Sequence, residues 1–562
     1  MNVTPPRSAQ PPVPPARTAP PTEDGTEPPP ESRGFLAKAA LVTAALSVAG
    51  ALLGLGRDQA LARLFGAGSE TDAFLVAWTV PEFAATLLIE DGLALVLIPA
   101  FSLALSRRAQ GVPGDPVRSL VATTLPRLSL ALVTAGGLVA VGAPFLVGAL
   151  APGLPDPSLA VDCTRLTATC VLSFGLAGYC SAALRAHRRF LAPAAIYVAY
   201  NSGIIAAMLV LGGHWGVRSA AMGVAVGGCL MVVIQLPALV RQLRKKSVGG
   251  PAEAGEPQRP VGLALVCAVL LFALCRQSQV LIERFIASHL DPGAISHLNY
   301  AQKVAQIPMT LSLMLCTVTF PVVARALADG DTERARDRVE RDLALAACIV
   351  LLGAATVIAC APQIVELLFQ RGAFTAQDTA ATADVMRVYA LGLLGQTLVG
   401  GLVRTYFSDG RPNWYPLAAM TAGIAATAAV GACTVGLWGV SGIAAANAAG
   451  ITLTAGLLLG GARADSGRGS GANGTARNVV PLRLRRVLTD LGRPLGAALG
   501  ATAAGSFVAS RFDAPLSGLL LGCPTVAVVF VLLGRALGEQ GVASALRSVR
   551  SATRRLPYVR SR

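Results

Sequence analysis

The chain has 562 residues, 53% of them hydrophobic and 14% charged, with a formal net charge of +16. That balance is too apolar for a soluble protein, and the length exceeds a single core, so the chain reads as an integral membrane protein. Its basic residues fall in short clusters between apolar runs rather than along one face, the pattern of cytoplasmic loops, which argues against a nucleic-acid partner.

Residues 1–34 are Pro-rich and polar with no apolar run, so a disordered cytoplasmic tail is predicted there rather than a signal peptide. A hydrocarbon core takes about 20 apolar residues per helix. On that ruler the first half holds spans near 35–56, 73–101, 120–150, 159–184, 191–212 and 217–240. After a linker at 247–260, the second half holds spans near 261–288, 294–324, 343–369, 379–407, 414–436 and 440–461. A second linker at 463–492 leads to two further spans, near 493–510 and 515–537, and a basic tail follows from 538. Lys and Arg concentrate in the loops after even-numbered spans and in both tails, which puts both termini in the cytoplasm. The tail beyond Leu537 carries Arg547, Arg550, Arg554 and Arg555 at helical spacing, suiting either a basic amphipathic helix on anionic lipid or a solvated end.

The halves repeat at a fixed offset. Pro99 and Pro321 stand 222 apart, Asp162 and Arg165 recur as Asp384 and Arg387, and Pro193 matches Pro416. With six spans each, both halves insert the same way up. The predicted fold is therefore an all-α membrane protein of fourteen transmembrane helices: an N-terminal lobe over 35–246, a parallel C-terminal lobe over 261–462, and two helices outside the repeat.

Charges inside apolar runs mark candidate functional residues, because an ionisable group at mid-bilayer costs about 2.5 to 3.5 kcal/mol and is kept only facing protein or water. Between Arg57 and Pro99 lie Arg57, Asp58, Arg63, Glu70, Asp72, Glu82, Glu90 and Asp91; Glu90 and Asp91 are the hardest to assign to a surface loop. Arg276, Arg284, Lys303 and Arg404 are further cations within apolar runs. Lys303 either contacts a ligand, snorkels to an interface, or pairs with Asp72, Glu90 or Glu283. The pairs Asp162/Arg165 and Asp384/Arg387, three apart on a helix, suit internal ion pairs. Pro81 and Pro308 interrupt spans 2 and 8 as hinges or plain kinks. The 11 Cys are scattered singly without metal or disulfide spacing, so neither a metal nor a disulfide framework is expected. No GxxxxGK[ST] occurs, so no phosphate loop for ATP hydrolysis is predicted; an ion gradient or the membrane potential remains as the energy source.

Read together, Gly56–Phe83 (GRDQALARLFGAGSETDAFLVAWTVPEF), Ile282–Pro308 (IERFIASHLDPGAISHLNYAQKVAQIP) and Phe369–Asp378 (FQRGAFTAQD) resemble the lipid II flippase (MurJ or MviN) family of the MOP exporter superfamily. The resemblance covers about residues 35–540. It implies a cationic central cavity between two lobes, an undecaprenyl-linked substrate, a groove for the lipid chain at spans 13 and 14, and alternation between inward-open and outward-open states. It implies a transporter rather than an enzyme, without cofactor, in the bacterial plasma membrane, beside cell-wall synthesis machinery and membrane lipids. By position, Arg57 matches a cavity arginine, Asp72 the Asp of the TDAF segment, and Glu90 the Glu of span 2. Asn299 and Lys303 fall in the NYA segment, with Lys303 at a family arginine. Family arginines are missing at Ala51, Ala85 and Thr86, for which Arg276, Arg284 and Arg404 are candidate replacements. Those departures leave two alternatives: an exporter of another lipid-linked glycan or amphiphile, and a transport-dead scaffold for cell-wall enzymes.

Overall fold

The computed structural model describes residues 30–90, 92–110, 114–244, 263–314, 331–407, 412–462 and 481–538. Most of the expected N-terminal tail, the 247–260 linker, residues 463–480, the tail from 539, Asp91 and Pro321 lie outside the described residues. Two expectations shift at their edges. The first helix, α1 (Pro30–Phe65), begins inside the predicted tail, and the helix of span 13 begins at Leu484, inside the predicted second linker.

Among the described residues the chain is helical without β-strands. Span 2 shows how sequence fixes a break. It is built from α2 (Ser69–Ala77), α3 (Thr79–Ala84), a π turn (Ala85–Glu90) and α4 (Gly92–Ala109). Pro81 has no N–H to offer the carbonyl four residues back and crowds it. That carbonyl, on Ala77, instead accepts from Thr167 Oγ1 at 3.2 Å, so the interruption becomes a fixed kink. The wide π turn lies over Gly178, where a side-chain carbon would fall on the Leu88 carbonyl oxygen. Turns of this kind occur frequently at functional positions.

Span 3 comprises α5 (Pro116–Val141) and α6 (Ala143–Leu150). Asp115 caps α5 by accepting from the Val117 and Arg118 amides. Span 4 comprises α7 (Pro157–Ala168) and α8 (Cys170–Ala186). α9 (Leu191–Ala194) and α10 (Ile196–Trp215) make span 5, and α11 (Arg218–Arg244) makes span 6. The second half opens with α12 (Leu263–Ala287) and α13 (Ala294–Ala305), and α14 (307–314) follows a break at Gln306. Pro308 packs against Gly353, which leaves no room for a side chain. Then come α15 (Thr332–Ala359), α16 (Ala361–Phe369), α17 (Ala376–Ala390) and α18 (Leu393–Tyr406). The last three are α19 (Tyr415–Gly461), α20 (Leu484–Ala509) and α21 (Pro515–Ala536).

Helix occupies all fourteen predicted ranges as far as they are described, yet among the described residues length and apolarity alone qualify ten helices as crossings, or eleven with the bent pair α17 and α18 taken as one. The physical reasons differ. α17 and α18 meet at a 47° bend, α20 opens on the charged run LRRVLTDLGR, and span 8 is broken at Gln306. α19, at 47 residues, would be roughly 70 Å long if straight, more than twice a hydrocarbon core of about 30 Å. Non-helical Gly439 (φ 53°, ψ −131°) turns the chain inside it.

Gly439 also carries the repeat. Gly216 adopts the same left-handed conformation (φ 54°, ψ −142°) between spans 5 and 6, and the flanking triplets Trp215–Val217 and Trp438–Val440 have identical sequence. The ion pairs diverge between the halves. Asp384 pairs with Arg387 at 3.1 Å as expected, whereas Asp162 pairs with Arg218 at 2.8 Å, correcting the Arg165 assignment. Arg218 follows the Gly216 turn and reaches Asp162 with two nitrogens; the matching position of the second half is Ser441, which carries no charge to compete for Asp384.

Helices pack mainly within their own half: α10 on α1 and α11, α8 on α4 and α11, then α12 on α19 and α13 on α17. α20 and α21 pair with each other and lie against α15, and α21 also touches α16. Between the halves, α2 meets α13, α1 meets α16, and α12 touches α3, α4 and α6.

Candidate functional site

A cavity of about 810 Å³ lies between the halves. Its walls come from α1, the broken second span and α10 on one side, and from α12, α13 and Gln306 on the other. Of the predicted site residues, Arg57, Glu90, Arg276 and Lys303 border it. The positions lacking a family arginine, Ala51, Ala85 and Thr86, also face it.

Arg57 is held from three directions. Its guanidinium lies over the Trp78 ring at 4.3 Å, donates to Asp58 Oδ1 through Nε and Nη2 at 3.0 and 2.7 Å, and reaches Asn201 Oδ1 at 3.3 Å. Asn201 is itself fixed, because its amide donates to the carbonyls of Gly50 and Tyr197. Stacking and paired hydrogen bonds pre-orient a planar cation, so an incoming anion meets a cation that is already ordered.

Glu82 joins the two halves. Its Oε1 stands 3.7 Å from Lys303 Nζ and its Oε2 2.9 Å from Arg284 Nη2, while Arg284 Nη1 also donates to Thr79 Oγ1. Lys303 therefore neighbours Glu82 rather than Asp72, Glu90 or Glu283. Glu283 is buried and accepts from Asn447. Arg284, expected as a replacement cavity cation, is 6% exposed at its side chain and does not line the cavity. A buried cation needs its partner close, and Glu82 serves as that partner. Arg284 therefore stays behind the wall.

Three other predicted residues fall elsewhere. Asn299 is buried and is not on the wall. Arg404, in α18, is half-buried and also off the wall. Asp72 fastens the halves at the far end. Its carboxylate accepts from the Gly293 amide at 2.7 Å, the Ser296 amide at 2.7 Å and Ser296 Oγ at 2.5 Å, so a carboxylate from one half caps the first turn of α13 in the other.

Around Asp72 the two halves touch. The Ala373 amide donates to the Arg63 carbonyl at 2.9 Å, the Gly153 amide to Ser288 Oγ at 3.3 Å, and Tyr300 hydroxyl to the Gly66 carbonyl at 3.4 Å. Gly372 (φ 66°) permits the approach, since a side-chain carbon there would strike the Arg63 carbonyl oxygen. The cavity is thus closed at the end carrying the loops after spans 1, 3, 7 and 9. Its opposite end carries Arg185, Phe190 and Pro193, and exposed Glu90 accepts there from Tyr197 hydroxyl at 3.1 Å.

Trp78, Asn201 and Arg185 are site residues that sequence reading did not single out, and Glu82, noted among the charges between Arg57 and Pro99, was not carried forward as a site residue. Glu82 had one visible signal, a carboxylate directly after the proline that interrupts span 2. The cross-element partners of Glu82, Trp78 and Asn201 lie too far along the chain to be read from spacing. The arrangement offers ordered cations, hydroxyls and aromatic faces to a large anionic, hydroxylated group.

A family model described as "Lipid II flippase MurJ" matches residues 61–476. The lipid II flippase MurJ of Burkholderia cenocepacia is 29% identical over 385 residues, 66% of this chain and 73% of that protein. The probable lipid II flippase MurJ of Thermotoga maritima is 28% identical over 362 residues, 64% of this chain and 71% of that protein. Among solved structures, a lipid II flippase MurJ in an inward closed conformation superposes with a TM-score of 0.67 at 18% identity, covering 88% of this chain and 99% of that one. An inward-facing multidrug resistance transporter of the MATE family, in the MOP superfamily, gives 0.59 at 15% identity over 74% and 95% of the two chains.

Proposed function

Because this chain belongs to the lipid II flippase MurJ family, a family of multi-pass membrane transporters, we propose that it carries a lipid-linked peptidoglycan precursor from the cytoplasmic to the outer leaflet of the bacterial plasma membrane. The obstacle is physical: a charged, hydroxylated headgroup must leave water, at a cost of several kcal/mol for each unpaired polar group. A cavity that supplies cations and hydroxyls lowers that cost. The carrying observation is that Arg57 and Lys303, from opposite halves, border one cavity whose far end is fastened through Asp72.

With both termini cytoplasmic, the end carrying Arg185 faces the cytoplasm and the Asp72 end faces outward. The diphosphate enters beside Arg57 and Lys303 and competes with Asp58 and Glu82 for them. Because Glu82 bridges the halves, displacing it loosens their contact and links occupancy to rocking. Release of the Asp72 fastening then opens the outer end, while the polyprenyl chain stays in lipid alongside α20 and α21. An ion gradient or the membrane potential drives the cycle, the potential contributing about 2.3 kcal/mol per charge per 100 mV. Cell-wall synthesis enzymes are the source and destination of the substrate.

A second reading, export of another lipid-linked glycan, is favoured by one feature: Ala51, Ala85 and Thr86 leave the wall short of cations. Depleting the protein separates the two. The first reading requires undecaprenyl-linked disaccharide diphosphate to accumulate on the cytoplasmic leaflet; unchanged distribution of that lipid, with another glycan lipid accumulating, favours the second.

A further inference from the structure

The cavity holds two kinds of cation. At the deep end each is already answered by a carboxylate: Arg57 by Asp58 at 2.7 Å, Lys303 by Glu82 at 3.7 Å. Arg185 and Arg276 border the same cavity, and among the described residues neither has a carboxylate oxygen within 4.0 Å. They come from opposite halves, Arg185 from the last turn of α8 and Arg276 from α12.

The backbone that carries each of them is tied down. The turn after Arg185 is tied back on α8, with the Arg188 amide donating to the Arg185 carbonyl and the Arg189 amide to the Leu184 carbonyl. His187 Nδ1 also lies 2.7 Å from the Ala183 carbonyl oxygen. Arg188 takes a left-handed φ of 56° there, the one non-glycine residue to do so among those described, and such strain clusters at ligand sites. Next to Arg276, Gln277 Nε2 donates to Thr86 Oγ1 at 3.2 Å, tying that turn of α12 to the second span. Beside Arg185 the apolar rings and chains of Phe190 and Leu191 are 53% and 55% exposed, and Phe190 itself borders the cavity.

We propose that Arg185, at the cavity mouth, and Arg276, midway along α12 on the facing wall, form a loading site that takes the diphosphate of a polyprenyl-diphosphate lipid while Phe190 and Leu191 meet the first part of its hydrocarbon chain. The proposal rests on the flippase reading and deepens it. A free guanidinium binds a phosphate oxygen pair without first breaking an internal ion pair, whereas the deep cations must exchange Asp58 or Glu82 for the ligand. Loading at the mouth therefore precedes transfer inward. Occupying an unpaired site governs how much lipid is needed, and the deep exchange governs the rate once the mouth is filled. The pair also supplies two charges that the wall lacks at Ala51, Ala85 and Thr86.

The test uses full-length protein in liposomes with a graded mole fraction of fluorescent undecaprenyl-diphosphate disaccharide, and in parallel measures undecaprenyl diphosphate binding to the protein in detergent. Arg185→Gln/Arg276→Gln is expected to raise the half-saturating mole fraction about tenfold while the maximal rate changes by no more than about twofold, and to weaken detergent binding by a similar factor. Arg185→Lys/Arg276→Lys, which keeps the charge, recovers part of both losses and guards against misfolding of the Gln variant. Unchanged half-saturation and binding in the Gln variant overturn the loading site, as does a fall in maximal rate alone. If the wild type moves no diphosphate lipid but its binding still depends on the two arginines, the loading site stands and the flippase reading falls.

Discussion

Replacing Asp72 with Asn isolates the fastening at the closed end of the cavity. The carboxylate accepts two amides and a hydroxyl from the other half at 2.7, 2.7 and 2.5 Å. Asn keeps the shape and one carbonyl oxygen, but it turns an NH2 group toward a donor and removes the charge. Hydrogen bonds to a charged group contribute about 1.5 to 3 kcal/mol each, and at least one is lost outright. The closed state should lose roughly that much relative to the outward-open state, a factor of about 10 to 150 in their ratio. Ser288, buried at the same seal, gives a reporter: Ser288→Cys in a background freed of native cysteines, challenged on intact cells with a membrane-impermeant maleimide. Adding Asp72→Asn is expected to raise the labelling rate at least about tenfold. An unchanged rate, with the protein present in the membrane at its normal level, refutes the reasoning.

Two further substitutions test the packing around the cavity. Glu82→Gln leaves Arg284 buried without its counter-charge, and breaking a buried pair from one side costs about 3 to 5 kcal/mol. Because the Glu82 side chain is 23% exposed, the loss should lie near the lower end and lower the Tm in detergent, with Glu82→Gln/Arg284→Met recovering most of it; equal Tm values for wild type and Glu82→Gln contradict this. Gly178→Ala drives a methyl onto the Leu88 carbonyl of the π turn, and overpacking costs about 1 to 3 kcal/mol. Gly137→Ala, where the added carbon meets nothing within 4 Å, is the neutral comparison, and matching Tm values for the two variants contradict the close approach.

What could be read from the sequence follows from the range of the interaction. Apolar runs of bilayer length marked the spans, because each helix satisfies its own backbone. The doubled fold was legible too, and the Trp–Gly–Val triplets at Gly216 and Gly439 carry it more plainly than Pro99 and Pro321. Arg57, Glu90, Arg276 and Lys303 reached the cavity because a charge in an apolar run has few other places to go. The same rule pointed to Arg284 and Arg404, and the TDAF resemblance to Asp72, all of which lie off the cavity wall. It says that a buried charge has a reason, but not whether the reason is a ligand or a partner. Glu82 was noted as a charge in the second span but not assigned to the site, because its partners Arg284 and Lys303 come from the other half of the chain. Arg185 was passed over because it ends a span in a basic turn, where its neighbours Arg188 and Arg189 suggest ordinary loop charge.

The central claim is that cations from opposite halves carry a diphosphate headgroup through one cavity. Its most direct test is a leaflet assay on proteoliposomes holding fluorescent undecaprenyl-diphosphate disaccharide, read by a reagent that reaches only the outer leaflet. Wild-type protein is expected to exchange the lipid between leaflets, and Arg57→Gln/Lys303→Gln, folded and inserted to the same level, to bring exchange down to that of protein-free vesicles. Exchange at the wild-type rate in that double variant contradicts the account.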